Sequence, residues 1–207
     1  MKGKFITFEG CEGVGKSRQV KMLEEYLQKN NVKYYLTREP GGTKISEQIR
    51  KIILDGNNVE MSDEAEVLLY AASRAQLVNE ELLPRIENGE LVICDRYLDS
   101  SLAYQGKARG LGYEFVEKCN SYSIQRLMPD CTVFLRLPPE EAFKRKGGVD
   151  KTDRLELSGL EFHNKVFEGY NELAEKDPQR FAVIDASGSK EQTHAKIIDA
   201  LKKKGIL

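Results

Sequence analysis

Short apolar runs alternate with longer stretches of helical periodicity along the chain. The runs are brief, rich in β-branched and aromatic residues, and bounded by charged or turn residues, which is typical of buried strands. They predict strands at 4–8, 32–37, 91–94, 131–137 and 181–185. Helical segments separate them, and parallel strands require such crossovers. The pattern therefore predicts an α/β fold in which helices cover both faces of a five-stranded parallel sheet, with the strand order left open.

The segments between the strands carry apolar residues at helical spacing. In 16–29 they share one side of the predicted helix, and the longest segment, 63–87, has a broad apolar stripe. The other predicted helices are 45–54, 113–127, 139–146, 159–176 and 190–204. No linker rich in Pro, Gly or Ser divides residues 1–207, so we expect one domain. The charged segment around Gly147 and Gly148 interrupts two helical patterns and predicts an excursion from that domain.

Composition narrows the classes of function. Hydrophobic residues make up 40% and charged residues 31%, which is globular rather than disordered or collagen-like. The formal net charge is −1, so we expect no nucleic-acid or membrane partner, and anions must bind in local pockets. No apolar run approaches the roughly 20 residues of a membrane span. The 4 cysteines lack C-x-x-C spacing, which favours reduced thiols in a cytoplasmic protein over a zinc site.

A glycine-rich segment, 10–17, fits the pattern G-x-x-x-x-G-K-[ST] between the first predicted strand and the first predicted helix. Its glycines let backbone N–H groups turn inward around phosphate oxygens, and the positive end of the helix points at the same anion. Lys16 would reach the β- and γ-phosphates of ATP, and the Ser17 hydroxyl would hold Mg²⁺. The predicted nucleotide-binding residues are Gly10, Cys11, Glu12, Gly13, Val14, Gly15, Lys16 and Ser17.

An acidic residue directly follows the apolar strand predicted at 91–94. Asp95 ends this strand as a Walker B aspartate does, so Asp95 and Ser17 are the predicted Mg²⁺ ligands. Arg96 comes next and must therefore lie close to the metal and the glycine loop.

The glycine-rich pattern is that of a P-loop, and the arginines help to decide which class of P-loop protein the chain is. Arg38, Arg50 and Arg74 join Arg96 as candidates for a second anion site, since guanidinium groups suit phosphate contacts. The guanine-reading N-K-x-D segment of GTPases is missing from the sequence, and the chain is small for a transport ATPase. A kinase acting on a small acceptor fits best, with a nucleotide-dependent switch or binding module as the alternative.

Several segments, in order along nearly the whole chain, together resemble the thymidylate kinase family in its bacterial branch. The segments are 8–17 (FEGCEGVGKS), 37–43 (TREPGGT), 71–74 (AASR), 95–106 (DRYLDSSLAYQG), 153–156 (DRLE) and 162–166 (FHNKV). The resemblance implies the three-layer P-loop NTPase fold with a small lid at about 145–156. It implies transfer of the ATP γ-phosphoryl group to dTMP with Mg²⁺, in a cytoplasmic homodimer. A kinase for another nucleoside monophosphate is the alternative within enzymes.

The resemblance also implies roles for residues that would hold the acceptor. Arg50 and Arg96 would hold the dTMP phosphate, Tyr70 would stack on thymine, and Arg74 would contact a thymine carbonyl. Positions 70 and 74 are one turn apart, which agrees with a shared helix face.

Further residues would complete the acceptor site. Ser101 and Gln105 would meet the base edge, and Ser100 belongs to the same substrate-binding set. Tyr104 would crowd the 2′ position of the sugar, and Glu12 would lie near the sugar hydroxyl and the metal.

The lid and the adenine loop are also implied by the resemblance. Gly13 stands where another branch of the family carries an arginine, so the lid would supply the catalytic positive charge. The lid candidates are Arg145, Lys146, Lys151 and Arg154. Their alternative is a solvated charged loop. Ser187 follows the last strand and would approach adenine.

Overall fold

The computed structural model describes residues 2–146 and 158–207. Within them, one parallel sheet has the strand order β2-β3-β1-β4-β5. Its strands are β1 (Lys4–Glu9), β2 (Tyr34–Arg38), β3 (Leu91–Asp95), β4 (Cys131–Arg136) and β5 (Phe181–Asp185). Each strand boundary lies within two residues of its prediction, so the fold class is confirmed.

The central strands read as continuous apolar runs because both of their faces are covered. Strands β1, β3 and β4 are buried at nearly every position, whereas Val183 of the edge strand β5 is exposed. In the register, Asp95 pairs with Phe8 on one side and with Arg38 on the other. The carboxyl ends of β1, β2 and β3 therefore meet at one edge of the sheet, where ligands of open parallel sheets bind.

Helices surround this sheet. Those described are α1 (Lys16–Lys29), α2 (Lys44–Leu54), α3 (Asp63–Leu77), α4 (Leu83–Glu87), α5 (Leu98–Ser101), α6 (Tyr113–Cys119), α7 (Ser121–Arg126), α8 (Pro139–Lys146), α9 (Gly159–Lys176) and α10 (Lys190–Lys203). Two segments with wider turns, π1 (Val78–Leu82) and π2 (Leu102–Ala108), follow α3 and α5. None of the described helices is both long and apolar enough to cross a membrane.

Two predicted helices are interrupted. The segment 63–87 divides into α3, π1 and α4, because Pro84 in the first turn of α4 has no N–H to continue a regular ladder. The segment 113–127 divides at Asn120, which ends α6 and precedes α7. The predicted lid at about 145–156 lies almost wholly outside the described residues.

The start of α1 and the start of α2 differ in how they are capped. Thr43 caps α2 by accepting a hydrogen bond from the Ser46 N–H at 3.1 Å. Helix α1 begins after Gly15, which offers no side-chain cap. Its first N–H groups are thus available to an anion at the carboxyl end of β1.

Candidate active site

The glycine loop joins the end of β1 to the start of α1. Gly10 has φ of 140°, and a Cβ atom there would lie 2.7 Å from the Leu135 carbonyl oxygen, so β4 excludes a side chain. Gly15 has φ of 96°, but a Cβ atom would meet nothing within 4 Å. The first glycine is therefore demanded by packing, whereas the second borders open space at the helix end.

Lys16 lies beneath this loop. Its Nζ donates hydrogen bonds to the carbonyl oxygens of Gly10 and Cys11, both at 2.9 Å. Burial, with the positive charge of Arg96 nearby, lowers the pKa of Lys16. The loop thus keeps an ammonium group beside the N–H groups that begin α1.

One cavity of about 450 Å³ opens above the glycine loop and collects most of the predicted site residues. Those lining it are Glu12, Gly13, Gly15, Lys16, Ser17, Arg50, Tyr70, Arg74, Asp95, Arg96, Ser100, Ser101, Tyr104 and Gln105. The predicted nucleotide and acceptor residues thus share one space. Cys11 and Val14 are buried within the loop. Arg18 also lines the cavity, although only its position beside Ser17 signals it in the sequence.

Arg96 connects the glycine loop to α5 and π2. Its backbone has φ of 72°, in the left-handed region, and its N–H donates to the Phe8 carbonyl at 3.0 Å. Its guanidinium forms an ion pair with Glu12 and donates to Ser100 Oγ at 3.1 Å and to Tyr104 Oη at 3.3 Å. The strained backbone aims a planar cation into the cavity beside the glycine loop.

Behind Arg96 lies Glu9, which sequence reasoning did not place in the site. This fully buried carboxylate accepts hydrogen bonds from the Tyr97 N–H at 2.8 Å, Ser100 Oγ at 2.6 Å and Tyr170 Oη at 2.8 Å. Burial raises the pKa of Glu9 to about 7, and the charge of Asp99 adds to the effect. The only signal in the sequence is an acid at the end of an apolar strand.

Arg74 is buried, with 1% of its surface exposed. Its Nε donates to Glu39 Oε2 at 2.8 Å, and its Nη2 donates to the Tyr97 carbonyl and to Ser101 Oγ, both at 3.0 Å. Arg74 therefore borders the cavity while tying α3 to the loop after β2 and to α5. Tyr70 borders the cavity one turn earlier.

Two further predicted residues have their positions fixed by hydrogen bonds. Arg50 Nη1 donates to the Pro40 carbonyl at 2.8 Å, which holds α2 against the loop after β2. Gln105 Nε2 donates to Glu66 Oε1 at 2.7 Å, and Glu66 is fully buried.

The predicted magnesium ligands fit a hard cation. Asp95 Oδ1 is buried and has no hydrogen-bond partner among the described residues. Ser17 is exposed in the first turn of α1 and lines the same cavity. Carboxylate and hydroxyl oxygens are the ligands that Mg²⁺ prefers.

Arg145, a predicted lid residue, forms its hydrogen bonds outside the cavity lining. Its guanidinium donates to the Ala186 carbonyl at 2.6 Å and to the Ser187 carbonyl. The structure thus joins it to the loop predicted to approach adenine, outside the described lining of the cavity. Lys151 and Arg154 lie outside the described residues, and the side chain of Lys146 does too.

The chain is similar to known proteins over nearly its whole length. The sequence profile of the family described as thymidylate kinase matches residues 8–197. The chain is 50% identical over 203 residues to a thymidylate kinase of Thermoanaerobacter sp. (strain X514), which covers 98% of this chain and 99% of that protein. It is 52% identical over 188 residues to one of Clostridium novyi (strain NT), with coverage of 90% and 92%.

A thymidylate kinase of Bacillus velezensis is 46% identical over 209 residues, covering 98% of this chain and 99% of that protein. These similarities confirm the resemblance seen in the sequence motifs. The chain belongs to the thymidylate kinase family.

Proposed function

We propose that this protein transfers the γ-phosphoryl group of ATP to dTMP, giving ADP and dTDP. The observation that carries the proposal is one cavity lined both by the glycine loop with Lys16 and by Arg50, Arg74 and Arg96. Two anions can meet there end to end. Phosphoryl transfer needs chiefly this alignment and positive groups that take up charge on the moving phosphoryl, so no covalent enzyme intermediate is required.

The cations divide between donor and acceptor. Lys16 binds the β- and γ-phosphates of ATP, while Arg50 and Arg96 hold the dTMP phosphate. Ser17 and Asp95 would hold Mg²⁺, which neutralises charge on the phosphates when bound.

The acceptor's base and sugar face α3, α5 and π2. Tyr70 stacks on thymine, Arg74 and Ser101 donate to its carbonyl, and Gln105 reads the base edge. All four of these side chains line the same cavity, which supports this arrangement. Around the sugar, Tyr104 crowds the 2′ position and Glu12 lies near the hydroxyl, with Ser100 between Arg96 and Glu9.

The donor's adenine would lie toward the loop that carries Ser187. The hydrogen bonds from Arg145 to this loop support a role for Arg145 beside the donor nucleotide. Lys151 and Arg154 stay predictions for the catalytic charge of the lid at about 145–156. One continuous core supports our view of residues 1–207 as a single kinase domain with that lid.

We also propose a cytoplasmic homodimer. Exposed apolar side chains occur on neighbouring helices, with Ile45 and Ile52 on α2 and Leu68 on α3. A second copy covering them would remove this apolar area from water. The 4 free cysteines are consistent with a reducing compartment.

The test is an ADP-release assay with ATP, Mg²⁺ and dTMP, dUMP, dCMP, AMP or GMP as acceptor. We expect dTMP to be preferred, and Lys16→Ala to lower kcat by at least about a hundredfold because it removes a cation from the transferring group. Lys21→Ala, on the exposed side of α1, is the matched control and should keep wild-type turnover. Preference for another base, or full activity in Lys16→Ala, would overturn the assignment.

A further inference from the structure

A buried acid holds the side-chain amide of Gln105. Gln105 lines the cavity with 1% of its surface exposed, and its Nε2 donates to Glu66 Oε1 at 2.7 Å. Glu66 lies in the first turn of α3 and is fully buried. It also accepts a hydrogen bond from Arg109 Nη2 at 3.2 Å.

This contact decides which way the amide points. A carboxylate paired with a guanidinium has only acceptor atoms, so the atom of Gln105 that faces Glu66 must be the NH₂ group. The carbonyl Oε1 is then the amide atom left for the cavity. An amide without such a neighbour exchanges its oxygen and nitrogen by rotating about one bond.

We propose that Glu66 is a positioning residue for base selectivity: by fixing the amide of Gln105, it makes the cavity present an acceptor to the ring N3 of the base. This inference rests on the proposed function, in which Gln105 meets the base edge. Glu66 itself does not touch the substrate.

The hydrogen-bonding pattern distinguishes pyrimidines. Thymine carries a donor, N3–H, beside a carbonyl at position 4, whereas cytosine carries an acceptor at N3 beside an amino group. Ser101 Oγ accepts from Arg74, so its own proton is available to a carbonyl. An acceptor at Gln105 therefore matches the N3–H of thymine but faces the N3 acceptor of cytosine, while the Ser101 hydroxyl can donate to the thymine carbonyl at position 4.

The chain offers a matched control in Asp63. Asp63 pairs with Arg109 at 3.2 Å, as Glu66 does, but the described hydrogen bond from the Gln105 amide is accepted by Glu66. A change at Asp63 perturbs the same arginine without releasing the amide.

The experiment measures kcat and KM with dTMP and with dCMP. In Glu66→Gln the new amide can both donate and accept, so Gln105 becomes free to rotate. We expect the ratio of kcat/KM for dTMP over dCMP to fall about tenfold, the value of one hydrogen bond. Asp63→Asn should keep the wild-type ratio. An unchanged ratio in Glu66→Gln, or an equal loss with both substrates, would overturn the role of Glu66.

Further variants keep the test decisive. Gln105→Ala removes the amide, so adding Glu66→Gln to it should leave the ratio where Gln105→Ala alone puts it. If Glu66→Gln does not fold, Glu66→Asp keeps the charge but shortens the reach to the amide, and the same fall is expected. A wild-type enzyme that does not prefer dTMP to dCMP would instead overturn the proposed function.

Discussion

At the scale of single residues, the site is built on charges that the fold buries. Arg96 keeps a left-handed backbone, a conformation that costs a non-glycine residue about 1 to 2 kcal/mol, and it is anchored by the Phe8 carbonyl. Behind it, Glu9 orders Ser100 and Tyr170, both within hydrogen-bond distance of Arg96. The buried acid thus arranges the hydroxyl groups that surround the Arg96 guanidinium.

The burial of Glu9 predicts a dependence of stability on pH. Its pKa is raised from the usual 4.5 to about 7, so between these values the folded protein keeps a proton that the unfolded chain has released. The free energy of unfolding should therefore fall as pH rises through this window. In Glu9→Gln the fall should be smaller, because the amide does not titrate and can still bond Tyr97 and the hydroxyl groups.

Urea unfolding at pH 5 and pH 8 measures this difference. Glu175→Gln, at an exposed position of α9, should keep the full wild-type fall. If Glu9→Gln shows the wild-type fall as well, the retained proton belongs to another group.

At the scale of elements, the glycine loop and the segment 98–108 both line the cavity. The loop was predictable because its spacing is a backbone requirement. Helix α5 and π2 were not, because residues 98–106 are buried throughout and show no contrast between an apolar and a polar side. This one segment carries Ser101, Tyr104 and Gln105, so the elements hardest to predict supply part of the cavity lining.

Gly15 and Gly110 offer a matched test of why the loop uses glycine. Both have positive φ, 96° and 80°, and a Cβ atom on either meets nothing within 4 Å. Alanine at each should therefore cost a similar 1 to 2 kcal/mol, roughly the penalty for a left-handed backbone. Only Gly15→Ala should raise KM for ATP, by at least about tenfold, because its methyl group enters the space that phosphate needs.

Steady-state kinetics and urea unfolding of the two variants provide the comparison. Equal kinetics in Gly15→Ala and Gly110→Ala would show that the phosphate does not approach the start of α1.

At the scale of the whole molecule, three exposed apolar side chains lie on neighbouring helices. Ile45, Ile52 and Leu68 are 49%, 48% and 54% exposed on two helices that pack together. Helices α2 and α3 also carry Arg50, Tyr70 and Arg74. Pairing of two copies through this surface would therefore stabilise the side of the cavity that these three residues line.

Sedimentation equilibrium tests this arrangement. The wild-type protein should show about twice the chain mass of 23.5 kDa, and Leu68→Glu should shift it toward that single mass by placing a charge in the interface. Val183→Glu, at a position 42% exposed on β5, is the control and should stay dimeric. A monomeric wild type would contradict the dimer, and a dimeric Leu68→Glu would place the interface elsewhere.

Much of the fold and part of the site were predictable from local patterns. The strands, α1 and the glycine loop follow from apolar runs, periodicity and glycine spacing, which act over a few residues. Glu9 and Glu66 were not predicted as site residues, because their roles depend on distant partners. The hydroxyl of Tyr170 that reaches Glu9 lies 161 residues further along the chain.

The sequence by itself determined that the chain has a parallel sheet, a glycine-rich loop between the first strand and the first helix, an aspartate at the end of an apolar strand, and a family. These follow from backbone geometry and from residue types at short spacing. Only the tertiary structure decided the strand order, the convergence of α3, α5 and π2 on one cavity, and the hydrogen bonds that orient Arg96 and Gln105. Such contacts arise when side chains far apart in sequence are buried together, and each buried polar group must then find its partner in that packing.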